Sequence, residues 1–368
     1  MSIASVKKMK KYLNQQDMRD LNLNHVFRLI RAAGPLTRRQ IESATDISWG
    51  AVSGATALLL QKGYIKEVKA DGIAGAGRTP IALAVNDEDH FLLGLDVNRS
   101  GLWGVVTDLA GKERFFAQKE VSATDKEAWI GEIGKMIEEL LAAVADKRVL
   151  AIGIAMQGAV DAKAGLAAAF PADGWQDVPL ADMLSERFSL PVFLEHDPDC
   201  ILYAATAEEE LRDAVLLRLD SGIGMAVMLN GKIFHRFGAF ELGYTVTDTG
   251  ERLDALVTIP GLERRADMPF GELVKAAERG EKNALCHFEK MAVQLATSVA
   301  NIAQLFAVEE LLLCGKLMRH APLFLDTLTE TAARLAPEKQ LRIRVCNVEK
   351  AAVGAALLAA ERVTLSFD

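Results

Sequence analysis

The sequence predicts an α/β protein in two parts: a small N-terminal head with a winged helix-turn-helix pattern, and a larger body of two similar α/β lobes around one cleft. Three observations predict it. Residues 37–63 read as a helix, a sharp turn and a second helix. Apolar strands and amphipathic helices then succeed one another in two cycles, over 86–190 and 191–346, with a small-residue closing helix within 347–368 that packs back on the first lobe. Charge divides along the same line. Residues 1–85 hold 13 Lys and Arg against 6 Asp and Glu, a net +7, so the remainder carries −15 of the overall −8.

In the head, Thr37 is placed to cap the first helix, and Gln40 three residues on completes a capping box. Ile41 and Ala44 face inward, Asp46-Ile47 makes the break, and Ser48 caps the second helix. Val52, Thr56, Leu59 and Leu60 form one buried stripe, and Gly63 ends it. Leu23, Val26, Phe27 and Ile30 mark a further helix packed on the pair. Residues 1–20 are expected to be a mobile or weakly helical arm. After Tyr64-Ile65-Lys66-Glu67-Val68, a Gly-rich tip at 71–77 and a returning strand over 81–85 make the wing. A plain helical hairpin is the alternative; the basic charge confined to this part favours nucleic acid. On that reading Arg38 and Arg39 approach phosphates, and Ser48, Trp49 and Ser53 lie within reach of base edges. Trp49 either meets thymine methyls or plugs the turn between the helices. Arg78 either enters a narrow minor groove or packs the wing on the body.

The body opens β-β-β-α-β: strands at 91–97, 102–108 and 113–121, a helix at 125–145, and a buried strand at 149–156. That order is the opening of an actin-like, ribonuclease H-like lobe of the sugar kinase type. Asp197-Pro198 opens a helix after a strand ending Glu195-His196, and Ser221-Gly222-Ile223-Gly224 and Asn230-Gly231 are turns. Half of the residues are hydrophobic and a quarter charged, with no apolar run long enough for a bilayer and no signal-peptide pattern. Cys200, Cys286, Cys314 and Cys346 stand far apart, which suggests neither a disulfide framework nor a cysteine zinc site. A cytoplasmic protein is the expectation.

Several stretches in fixed order carry a resemblance: GRTP in the wing, GIAMQGAVD at 153–161, EHD at 195–197, DSGIGMAVMLNG at 220–231, GAFELG at 238–243 and PGLERRA at 260–266. The chain resembles the ROK family of bacterial repressors and sugar kinases, over about residues 20–360. The resemblance implies a sugar pocket between the lobes. Asp197 matches the kinases' general base, Glu241 and Glu263 match glutamates that accept sugar hydroxyls, and Gly158 lets backbone approach the ring. Each also has a plainer role: Asp197 as a helix cap, Glu241 as an exposed strand residue, Glu263 as a charge near a helix start.

The chain departs from the family's pattern in ways that carry chemistry. The zinc-binding histidine is Tyr244, and residues 244–263 hold no Cys or His, so no metal is expected. The asparagine before the catalytic aspartate is His196. In the phosphate-wrapping turn Asp96-Val97-Asn98-Arg99-Ser100, Asn98 replaces glycine, and the Gly-Gly near the adenosine is Gly315-Lys316. No cofactor and no kinase activity are therefore expected. The resemblance implies instead a repressor of carbohydrate uptake or catabolism genes, a homodimer or tetramer on an operator, with a sugar, sugar phosphate or polyol between the lobes. His196 and Tyr244 join the expected ligand contacts. The alternatives are a sugar kinase with an appended head, and a repressor controlled by a protein such as a phosphotransferase-system component.

Overall fold

The structure is a computed structural model and describes residues 15–69, 81–209, 211–234, 240–247, 249–346 and 350–365. Arg78, the Gly-rich tip and Lys7, Lys8, Lys10 and Lys11 lie outside these residues. The head comprises α1 (Gln15–Ala33), α2 (Arg38–Ala44), α3 (Trp49–Gln61), β1 (Ile65–Lys69) and β2 (Ile81–Val85), the two strands antiparallel. Helix α1 begins at Gln15, within the stretch expected to be an arm. Thr37 and Gln40 form the capping box: the Gln40 N–H donates to Thr37 Oγ1 at 3.3 Å, and the Thr37 N–H donates to Gln40 Oε1 at 2.8 Å. Ile41, Val52, Thr56 and Leu59 are buried as expected, whereas Leu60, expected in the same stripe, is half-buried and Ala44 is exposed in the last turn of α2.

The body starts with β3 (His90–Asn98), β4 (Gly101–Asp108), β5 (Glu113–Lys119), α4 (Lys126–Ala142) and β6 (Arg148–Met156). A small antiparallel sheet of β7 (Ala159–Asp161), β8 (Leu166–Ala169) and β9 (Gln176–Val178) follows, then α5 (Leu180–Phe188), β10 (Val192–His196) and α6 (Asp197–Glu209). The second half holds β11 (Ala214–Leu219), β12 (Ile223–Leu229), β13 (Lys232–Ile233), α7 (Leu253–Val257), α8 (Ile259–Ala266), α9 (Phe270–Glu278), α10 (Lys282–Phe306), β14 (Glu310–Cys314), α11 (Leu325–Leu335), β15 (Arg342–Val345) and α12 (Ala351–Arg362). The main sheets are ordered β10-β6-β3-β4-β5 and β13-β12-β11-β14-β15. Each is an antiparallel meander extended by two parallel strands, so the same topology occurs twice. Strand β10 pairs with β6 in the first sheet, which corrects the expected lobe boundary at 190/191: the first sheet runs through His196. The sheet β7–β9, α5 and α11 were not foreseen. Among the described residues, no helix is long and apolar enough to cross a membrane. Among the described residues, no disulfide joins Cys200, Cys286, Cys314 and Cys346.

Helix α12 is clamped between the first sheet and α6. It lies directly on the first sheet, where a Cβ at Gly94 would come 1.9 Å from the Ala352 carbonyl oxygen and one at Gly153 2.0 Å from that of Ala355. Its own Gly354 meets α6 the same way, 1.8 Å from the Cys200 carbonyl oxygen. Backbone against backbone leaves no flexible side chain to yield. Gly354→Ala is therefore expected to cost about 3 kcal/mol or more in chemical denaturation. Gly271→Ala on α9, whose Cβ would meet nothing within 4 Å, is neutral or stabilising by up to about 1 kcal/mol.

Candidate functional site

Two surfaces carry the residues singled out by sequence. The first is the outer face of α3. Ser48 precedes the helix with its side chain making no capping hydrogen bond, and it is exposed. Trp49 is 48% exposed; the buried Ile47 fills the turn, so the plug role for Trp49 is excluded. Ser53 is half-buried on the same helix, and Arg39 is exposed. Arg38 is committed elsewhere. Its Nε donates to Thr56 Oγ1 at 3.1 Å and its Nη2 lies 3.6 Å from Glu67 Oε1, so it braces α2 against α3 and β1. Its expected phosphate contact is thereby secondary to a structural one.

The second surface is the cleft between the two sheets, where β6, β10 and β11 end. A cavity of about 420 Å³ is lined there by Gly158, His196, Asp197, Arg218, Ser221 and Glu241, among others. Gly158 has φ 101°, and a Cβ on it would come 2.2 Å from the Ala169 carbonyl oxygen, so only glycine fits the turn from β6 into the small sheet. Asp197, the first residue of α6, is buried. Glu241 stands exposed at the rim, just before a short 3-10 turn, not within a strand. Of the six expected ligand residues the structure gathers four: Gly158, His196, Asp197 and Glu241. Tyr244 is 58% exposed and stacked under the Arg252 guanidinium at 3.9 Å, away from the cavity lining. Glu263 Oε1 accepts the Phe270 N–H at 2.8 Å and so caps α9, a local duty that holds it out of the lining.

Arg218 and Asp220 were missed. The Arg218 Nη1 donates to Asp197 Oδ2 and its Nε donates to Asp220 Oδ2 at 2.8 Å. Burial works against the guanidinium charge, but Asp197, Asp220 and Asp96 together outweigh it and raise the Arg218 pKa. Burial lowers the His196 pKa, and Arg218 adds to this against the pull of Asp197 and Glu241, so the imidazole is neutral at pH 7. On the far side of Arg218, a second cavity of about 240 Å³ is lined by Asp96, Asn98, Trp103, Asp220, Lys316 and Arg319. Asn98 donates to Asp96 Oδ2 at 3.1 Å and accepts the Ser100 N–H at 2.9 Å, so its side chain fills the turn where the resemblance implies glycine. The signal available in the sequence was two charged residues two apart at the end of the otherwise apolar strand AVLLRL. Among the described residues, no cluster of three or more His, Cys, Asp or Glu is placed to hold a metal ion.

The cleft connects to the head through α6. Tyr203 on that helix donates to Glu361 Oε1 at 3.0 Å, and Glu361 in α12 pairs with Arg31 in the last turn of α1. Burial, together with Glu361, pushes the Tyr203 pKa up to about 12, so the phenol keeps the proton it donates. Beyond α12, the Leu365 N–H donates to Asn24 Oδ1 at 2.9 Å, tying the chain's last described residue to α1.

The family model for the ROK family matches residues 92–362, well over half of the chain. The chain belongs to the ROK family. It is similar to the xylose repressor of Caldicellulosiruptor bescii, at 23% identity over 92% of this chain and 95% of that one. It is also similar to the DNA-binding transcriptional dual regulator NagC of Escherichia coli K12, at 24% identity over 82% of this chain and 81% of that one. Among solved structures, a ROK family transcriptional regulator homologous to the E. coli MLC protein superposes with a TM-score of 0.79 at 18% identity, covering 94% of this chain and 97% of the other. The ROK hexokinase of Thermus thermophilus gives 0.67 at 24% identity, over 74% of this chain and 99% of its own. The ROK fold is thus an actin-like, sugar-kinase-type body behind a winged helical head. The hexokinase matches a share equal in length to the body; the regulator matches the head as well.

One consequence of the cleft is a pH dependence. Burial, reinforced by Asp197, raises the Asp96 carboxyl to about 7, against the opposing pull of Arg218 and Asn98. A carboxyl raised in the folded state gives stability below its unfolded value of 3.8, and this is lost as pH climbs through about 7. Asp96→Asn is expected to melt above the wild type at pH 8, by at most about 4 kcal/mol in stability, with the advantage shrinking toward pH 5. A gap that stays constant with pH would contradict the assignment.

Proposed function

We propose that this protein is a sugar-responsive DNA-binding transcriptional repressor of carbohydrate genes, with its effector bound between the lobes. The observation that carries the reading is the exposed Ser48-Trp49 face of α3, in a head whose packing continues into a ligand-sized cleft domain. The relatives support it: those matched across head and body are named as repressors or transcriptional regulators. In the cleft, Glu241 and the neutral His196 offer an acceptor and a ring nitrogen to hydroxyl groups, which is how a polyol is held without a metal. Arg218 holds Asp197 Oδ2, which leaves Oδ1 of the same carboxylate to accept a ligand hydroxyl. Two heads on a homodimer would read a pseudo-palindromic site.

The test starts by selecting bound sequences from a random DNA pool with the purified full chain. On the recovered site, Trp49→Ala is expected to weaken binding roughly 10- to 100-fold and to relax sequence preference, as loss of a base-edge contact does. Arg39→Ala is expected to weaken all sequences alike and to lower the salt slope by about one ion. Failure to enrich any sequence, or variants that bind as the wild type does, would sink the proposal.

A further inference from the structure

The wall between the two cavities is an ionic arrangement with an unusual composition. Asp220 directly follows β11 and uses both carboxylate oxygens: Oδ1 accepts the Lys316 backbone N–H, and Oδ2 accepts the Arg218 Nε at 2.8 Å. The side chains of Lys316 and Arg319 are exposed and line the cavity that Asp220 also lines. A backbone N–H and a guanidinium on one carboxylate, with Lys316 and Arg319 lining the same cavity, is a set of donors of the kind with which proteins hold a free phosphate. Here the anion in that seat is part of the chain.

Arg218 extends the arrangement into the larger cavity. Its Nη1 pairs with Asp197, so one guanidinium neutralises a carboxylate on each side of the wall. A phosphate brought to this point would have to displace Asp220. It would then face Asp197 and the expelled Asp220, with Arg218 shared between them. A neutral carbohydrate in the larger cavity meets no such repulsion. It finds Glu241, neutral His196, the charge-compensated Asp197 and the Ser221 turn. Resting on the reading of the cleft as a carbohydrate site, we propose that Asp220 is a built-in anion filling the cleft's phosphate seat, so that the cleft selects uncharged carbohydrate and rejects phosphorylated sugars and nucleotides. Asp220 and Arg218 are then the residues that set specificity, through charge and occupancy.

The experiment is thermal melting of the full chain in inorganic phosphate and in pyrophosphate, against chloride at matched ionic strength. The wild type is expected to show no phosphate-specific rise. Asp220→Ser, which vacates the seat, is expected to melt lower in chloride and to gain a saturable rise of at least about 2 °C in phosphate. Asp220→Asn keeps an oxygen for the Lys316 N–H and removes the charge; it is expected to gain a smaller rise in pyrophosphate, and it decides the matter if the serine variant does not fold. A saturable rise in the wild type, or indifference of the folded variants, overturns the proposal. A second arm compares neutral monosaccharides with their 6-phosphates on the wild type. Tighter binding of the phosphates overturns the selectivity and leaves the carbohydrate reading standing. Binding of neither overturns both the carbohydrate reading and the selectivity, while the inorganic phosphate arm still reports whether the seat is filled.

Discussion

The hydrophobic core of the head is not closed within the head. Leu23, Val26, Phe27 and Ile30 of α1, with Ile41, Val52 and Leu59 of the helix pair, belong to one buried cluster with Leu92, Leu109, Leu150 and Ala151 of the first lobe and with Ala356, Ala359, Ala360, Val363 and Leu365 at the end of the chain. Burial of apolar surface is the main favourable term in folding, and here it is shared across the boundary between the two functional parts. The orientation of α3 is thereby set by the body. A densely packed interior transmits displacement, so a shift of α12 moves the floor on which α1 stands.

The cleft is joined to that floor by α6. The helix starts at Asp197, which lines the cavity, and Tyr203 stands about 9 Å along it, bonded to Glu361, which pairs with Arg31. The close backbone approach of Gly354 to Cys200 makes α6 and α12 move together. Charge in the cleft therefore acts at one end of a rigid element whose other side is bonded to the head. Arg218 and Asp220 sit at the cleft end and hold Asp197 in place.

The features legible in the sequence were those made by near neighbours along the chain. The Thr37–Gln40 capping box and the stripe Val52, Thr56, Leu59 follow from spacing alone. The opening β-β-β-α-β order of the first lobe showed through because β3, β4 and β6 are long and apolar. The short strands Ala159–Asp161, Leu166–Ala169 and Gln176–Val178 did not, since three- and four-residue pieces with little β-branched content carry no periodic signal. Helix α11 was overlooked although Leu325, Leu328, Ala332 and Leu335 recur at helical spacing. In the cleft, positions carried over from the resemblance placed Gly158, Asp197 and Glu241 in the lining, while Tyr244 and Glu263 fell outside it. The resemblance transfers chain position, and the local bonds to Arg252 and to the Phe270 N–H then decide where those side chains go. Arg218 was invisible because its partners Asp96, Asp197 and Asp220 converge on it only once both sheets are folded.

The central claim is that carbohydrate in the cleft changes how the head holds DNA. It is tested most directly by titrating the selected operator with the full chain, with and without saturating neutral monosaccharide, xylose and N-acetylglucosamine first. Calorimetry reports in parallel which sugar is bound. The account predicts that a sugar which binds shifts operator affinity by roughly 5- to 150-fold, the usual range of coupling between distinct sites. A sugar that binds stoichiometrically and leaves operator affinity unchanged would contradict it.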